Sequence, residues 1–226
     1  MVGRRTAGEK IFDIINVMIM ILLIVICIYP LLYVLFASFS DPVRLTQHRG
    51  FMWKPLGFTF KGYELVFKNP NILSGYANTI FYVVAGTAVN LLMTSLGAYV
   101  LSRKDALLVN PMMFLITFTM FFSGRLIPSH LLIQKLNLVN KRAVMIIPGA
   151  ISTWNLIVMR TSFMSIPDSL EESARIDGAN DFTILFRIIL PLSKAVLAVM
   201  TLFYAVGHWN AWFNAMLYLR KRNMYP

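Results

Sequence analysis

The sequence predicts an all-α membrane protein that crosses the bilayer several times, and three observations predict it. Apolar residues make up 58% of the 226-residue chain and charged residues 14%, against about 45–50% and about 25% in ordinary soluble domains. Five long stretches carry no Asp, Glu, Lys or Arg. They hold 27 residues between Asp13 and Asp41, 34 between Lys68 and Arg103, 19 between Asp105 and Arg125, 17 between Arg142 and Arg160, and 25 between Lys194 and Arg220. A membrane helix needs about 17–25 mostly apolar residues, and these stretches lack the apolar–polar alternation of barrel strands.

Span one is expected over residues 14–39. Arg4, Arg5 and Lys10 precede it as in a signal peptide, but its apolar run exceeds the about 7–15 residues of a signal core, so it reads as a retained helix. Cys27, the single cysteine, lies within it. An intramolecular disulfide is excluded and the residue reads as a small apolar packing group. The connection over 41–77 is rich in Pro and Gly. Its Phe51, Trp53, Phe58, Phe60, Tyr63 and Phe67 suit a segment lying at the membrane interface.

Span two is expected over 79–101, with Asn90 as inter-helix hydrogen-bonding glue. Residues 102–105 make a tight turn into span three, 106–122. The connection over 123–142 contains Leu131, Leu132, Leu136 and Leu138 and is expected to hold a short helix. Span four covers 143–159 and span five 195–219, followed by a basic tail with Arg220, Lys221 and Arg222.

The net charge is +11. The cations sit mostly singly or in pairs at span ends, as interfacial anchors do, and no basic stripe interleaved with aromatics points to nucleic acid. With a cytoplasmic N-terminus, nine of the 21 Lys and Arg residues fall on the inner side and twelve on the outer side. Charge therefore leaves the orientation open.

Five of the ten acids cluster between spans four and five: Asp168, Glu171, Glu172, Asp177 and Asp181. Asp168 and Glu171 fit a D-x-x-E capping box. Glu171 can pair with Arg175 at i, i+4, and Gly178 suits a left-handed C-cap. A helix is thus expected over 169–177, about 14 Å long at 1.5 Å per residue. Asn180 or Asp181 would cap a second helix with Phe182, Leu185, Phe186 and Ile189 on one apolar stripe. A helix of nine residues is marginal alone in water. It is either docked on a basic groove of a soluble partner or a solvated loop that holds two spans apart.

Chemistry is sparse. There is no G-x-x-x-x-G-K-[ST], so ATP binding by this chain is not expected, nor any other cofactor or a metal. No H-E-x-x-H, G-x-S-x-G or intramembrane carboxylate pair suggests an enzyme. The five spans contain no Asp, Glu, Lys or Arg, which argues against a proton-coupled carrier. Candidates for a polar solute path are Trp154 and Asn155 in span four and His208, Trp209, Asn210 and Trp212 in span five. Aromatics and amides suit sugar rings and hydroxyls, and the same residue types also serve inter-helix packing.

The acidic segment resembles the EAA signature loop of ABC importer permeases. Glu172, Ser173 and Ala174 are followed by three residues, Gly178, nine residues, then Ile188-Ile189-Leu190-Pro191. Ser173 stands where the family has alanine. The runs Trp154–Arg160, Ile166–Leu170 and Gly207–Asn210 are similar to carbohydrate-uptake permeases of the maltose-permease type, and the resemblance covers essentially the whole chain. It implies a type I importer permease in a bacterial plasma membrane, a single domain over 1–226 with an N-terminus in the cytoplasm. Its cytoplasmic coupling loop would span 160–194. Asp168, Glu171, Glu172, Ser173, Ala174, Asp177 and Gly178 would meet an ABC ATPase, which binds the ATP. The implied partners are that ATPase, a second permease subunit and an extracytoplasmic solute-binding protein. Family members have a sixth span, so the resemblance also implies a chain one span short. The alternatives are an ATP-independent channel or secondary carrier, or a non-functional fragment.

Overall fold

A computed structural model describes residues 7–103, 105–122 and 124–226. Arg4 and Arg5 before span one, Lys104 in the expected turn and Ser123 in the second connection lie outside the described residues. The described chain is helical, with no strand beyond an isolated bridge between Ser40 and Phe58. Two helices, Gly8–Ser38 and Pro70–Ser102, are long and apolar enough to cross a membrane. Three bent helix pairs bring the number to five when each is counted as one span. The chain divides into two compact units, one ending at Ile72 and one running from Leu73 to Pro226.

In the first unit α1 (Ala7–Ser38) leaves its apolar side chains from Ile14 to Ile28 exposed, Cys27 among them. Cys27 is therefore not the packing group the sequence suggested. Such a helix has no core to bury against and is at home only in lipid. Pro30 sits inside it, as membrane helices tolerate. Asp41 then caps α2 (Pro42–Gln47), accepting from Val43 N at 2.9 Å and Arg44 N at 3.3 Å. Phe39 stacks on Phe58, and Tyr63 of α3 (Lys61–Lys68) donates to Ser38 at 2.9 Å. The connection is thus folded rather than slack, and Phe51, Trp53, Phe58, Phe60, Tyr63 and Phe67 stay exposed on it.

The second unit contains α4 (Pro70–Ser102), α5 (Val109–Phe121), α6 (Leu126–Lys135), α7 (Thr153–Met164), α8 (Asp168–Ile176) and α9 (Asp181–Ile184). A π turn at Leu185–Ile189 leads through α10 (Leu190–Leu192) to α11 (Lys194–Trp209) and α12 (Trp212–Tyr218). Helix α6 is the short helix expected in the second connection. One core gathers Ala98, Leu156, Met159, Phe163, Ile184, Leu185, Ile189 and Met200. A second gathers Tyr82, Ile133, Val144, Met145, Ala215 and Tyr218. The segment after α12 is pinned to the first half of α4. The Asn78 amide donates to the carbonyls of Asn223 and Tyr225, both at 2.9 Å, and Tyr82 donates to Met224 O at 2.8 Å.

The last two expected spans are not single helices. Residues 142–149 form 3₁₀ turns around Pro148-Gly149 before α7 begins at Thr153, a bend of 52°. The helix of span five stops at Trp209, and Asn210 turns its side-chain amide back onto Val206 O at 3.0 Å. Hydropathy sees the apolar run but not the polar groups that end the backbone ladder within it.

The expected stripe after Gly178 also changes. Ile184, Leu185 and Ile189 are buried, whereas Phe182 and Phe186 face outward. Phe182 and Ile184 take these places in α9 itself, and the π turn that follows adds a residue to its turn and shifts the register from Phe186 on.

Candidate functional site

Helix α8 starts at Asp168 behind Pro167, whose fixed φ suits a helix entrance. Pro167 holds the N-cap position that the expected capping box gave to Asp168, it makes no side-chain cap bond, and Glu171 is turned toward the protein. Gly178 closes the helix with φ +82°, a conformation costly for any residue with a Cβ. Its N–H donates to Arg175 O at 3.0 Å, and Ala179 N donates to Ala174 O at 2.9 Å. Asn180 Oδ1 then accepts from Thr183 N at 2.8 Å and starts α9.

The helix has two faces. Glu171 and Ala174 are its buried residues. Asp168, Leu170, Glu172, Ser173, Ile176, Asp177 and Gly178 are exposed, Ile176 at 86%. Of the seven residues expected to meet a partner, five face outward and Glu171 and Ala174 face the chain itself. The Ser173 hydroxyl is used within the helix, donating to Ser169 O at 2.8 Å.

Glu171 is neutralised from two sides. It forms an ion pair with Arg103, just beyond the end of α4, and a second with Arg175 at 2.9 Å. The Tyr99 hydroxyl donates to it at 3.3 Å. Arg175 also reaches Asp181 at 2.7 Å. Arg103 is itself oriented: its Nε and Nη2 bond Ser102 Oγ at 3.1 and 3.0 Å, and its guanidinium lies 4.8 Å from the Tyr99 ring centre. Arg160 of α7 donates to Leu101 O at 2.7 Å, placing a cation where the α4 dipole is negative. A cleft of about 310 Å³ lined by Arg103, Asp105, Asp168, Glu171, Glu172 and Arg175 opens beside these groups.

A second cavity, about 430 Å³, lies among α4, α7, α11 and α12. Its polar lining includes Asn90, Ser152, Asn155, Tyr204, His208 and Asn214. Asn90 bridges it: its amide donates to Gly149 O at 2.5 Å, and its Oδ1 lies 2.6 Å from His208 Nε2. The histidine therefore carries a proton on Nε2 in this arrangement. The Tyr204 hydroxyl meets Thr94 Oγ1 at 2.7 Å and accepts from Ser152 N at 3.2 Å. Such a wall of neutral donors and acceptors can bind a polar, uncharged group and offers no fixed charge.

Of the expected solute-path residues, the structure brings Asn155 and His208 to this cavity. Trp154, Trp209, Asn210 and Trp212 do not line it, and the three tryptophans are 59%, 54% and 65% exposed. Sequence reasoning missed Ser152 and Tyr204, which line the cavity, and the buried Thr94 that bonds Tyr204. A signal was present: Asn90 and Thr94 stand at i, i+4 on α4, and Tyr204 and His208 at i, i+4 on α11. Two polar pairs each share one face of an otherwise apolar helix.

Residues 106–216 match the family described as "Binding-protein-dependent transport system inner membrane component". The chain is similar to the polygalacturonan/rhamnogalacturonan transport system permease protein YtcP of Bacillus subtilis. The two are 39% identical over 218 residues, which cover 96% of this chain and 76% of that protein. It is 39% identical to protein LplC of the same organism over 222 residues, 98% of this chain and 75% of the relative. A crystal structure of a bacterial ABC transporter involved in import of the acidic polysaccharide alginate has a chain of the same shape. The TM-score is 0.95 with 36% identity, covering all of this chain and 80% of that one.

Proposed function

The chain belongs to the family of binding-protein-dependent transport system inner membrane components, and on that basis we propose that it is a permease subunit of an ATP-driven importer for a saccharide. The observation that carries this reading is α8 itself. It is a preformed helix whose outward face offers Glu172 and Ile176, with Leu170 exposed on its flank, an acidic and apolar surface suited to a basic groove. The 160–194 loop, and with it the N-terminus of a single permease domain, would be cytoplasmic. An ATPase subunit would hold ATP and seat α8, while a second permease and a solute-binding protein complete the importer. The saccharide is supported by the names of YtcP and the alginate transporter. The neutral polar cavity supports it too, with Asn155 and His208 on the path.

ATP-driven closure would push on α8 and rock the spans between inward- and outward-open states. The test is uptake in vesicles carrying the assembled importer. Glu172→Lys reverses the outward charge, and Gly178→Pro cannot adopt the left-handed turn. Both are expected to leave membrane insertion intact and abolish ATP-coupled uptake. Normal uptake with either change would sink the reading. Uptake that persists without the ATPase would replace it with a channel or secondary carrier.

A further inference from the structure

Helix α8 buries only Glu171 and Ala174. Ala174 contributes little apolar area, so the hydrophobic effect alone holds this nine-residue helix weakly. Its second anchor is a buried carboxylate. Glu171 keeps 10% of its side chain exposed and meets Arg103, Arg175 and Tyr99. A buried ion pair is a poor source of net stability, since desolvating the charges offsets most of the attraction. What it does provide is a unique geometry, because a buried charge tolerates few other placements.

The partners of Glu171 sit where they matter. Tyr99 and Ser102 are in the last turn of α4, and Arg103 follows directly. Nine residues before Tyr99 on the same helix is Asn90, which holds His208 and lines the cavity. That interval is about 14 Å of continuous helix at 1.5 Å per residue. Ser102 Oγ and the Tyr99 ring fix Arg103, and Arg160 holds the carbonyl of Leu101. The end of α4 is therefore gripped from several sides.

We infer that Glu171 is a positioning residue that clasps α8 to the end of α4 through Arg103, so that a push on α8 is delivered along α4 to the Asn90–His208 wall of the cavity. Glu171 then faces its own chain rather than the ATPase. This inference rests on the proposal that α8 receives the stroke of an ATPase.

The test uses the importer assembled in proteoliposomes, with Cys27→Ser and a reporter Ser129→Cys, Ser129 being an exposed residue of the cavity lining. The readout is the labelling rate by a water-soluble maleimide, with and without MgATP and vanadate, so no solute is needed. In the otherwise unchanged importer the nucleotide is expected to alter the rate several-fold. Arg103→Gln and Glu171→Gln should each erase that response while ATP hydrolysis continues, and the double variant should lose no more than either alone. Arg103→Lys, which keeps the charge, should keep part of the response. A full response in both single variants, or losses that multiply in the double variant, overturns the clasp. Backbone hydrogen exchange in α4 and α7 separates misfolding from lost transmission: a variant that loses the response with those helices still protected has lost the clasp. No response in the unsubstituted background would instead be a failure of the importer reading itself.

Discussion

His208 Nε2 lies 2.6 Å from Asn90 Oδ1, and the same imidazole ring occupies the space where a Cβ on Gly86 would stand. Gly86 is one helical turn from Asn90 on α4, so the absent side chain lets α11 approach and the amide then fixes the ring. Gly86→Ala is expected to push His208 off Asn90. Overpacking of this kind costs about 1–3 kcal/mol. The check is unfolding in mixed micelles, and solute uptake should fall further than stability does.

Tyr204 ties Thr94 of α4 to the backbone N–H of Ser152 before α7. Tyr204→Phe keeps the ring and removes both bonds. Membrane helix-to-helix hydrogen bonds average about 0.6 kcal/mol, while a buried unpaired donor costs about 1–3 kcal/mol. The fully buried Thr94 hydroxyl loses its partner, so the larger effect is expected to win there, while the half-buried Ser152 N–H can turn to water in the cavity. Thermal unfolding of the purified chain measures it.

Asn140 has φ +59°, and its Oδ1 accepts from the backbone N–H of Arg220 and Lys221, both at 3.1 Å. Two variants separate its roles. Asn140→Gly keeps the left-handed turn and loses the caps. Asn140→Ala loses the caps and adds strain of about 1–2 kcal/mol. Amide exchange at Arg220 and Lys221 should quicken in both, and more in the alanine variant.

Asn180→Ala removes the acceptor for Thr183 N. Loss of such a cap costs about 0.5–2 kcal/mol. Exchange should quicken most over 181–184 and less over 168–176, since Gly178 closes α8 on its own and only the Arg175–Asp181 ion pair links the two helices there.

Much of this was legible in the residues themselves, and most of the exceptions share a cause. Uncharged runs located five apolar segments because hydropathy is local. They did not show that Pro148-Gly149 and Asn210 interrupt the last two, where the side-chain amides of Asn90 and Asn210 bond backbone carbonyls. Gly178, Asn180 and the Glu171–Arg175 pair were readable because each interaction closes within six residues. The burial of Glu171 was not, because Arg103 and Tyr99 come from another helix far upstream. An acid three residues after Asp168 looks like a capping partner until its long-range neighbour is seen. The apolar stripe at 182–189 failed for a different reason: α9 already turns Ile184 inward and Phe182 outward, and the π turn that follows, which has no residue-level signature, shifts the register from Phe186 on.

Helix α8 carries two overlaid messages. Glu171 and Ala174 answer to residues of their own chain, whereas Leu170, Glu172 and Ile176 are open to whatever docks outside. Selection on the two sets is then expected to be separate: across aligned permeases, position 171 should change in concert with position 103, and positions 170, 172 and 176 with the surface of the proposed docking partner. A signature usually taken as one address then resolves into an internal fastening and an external label. Only the label would need rewriting for the subunit to change its partner.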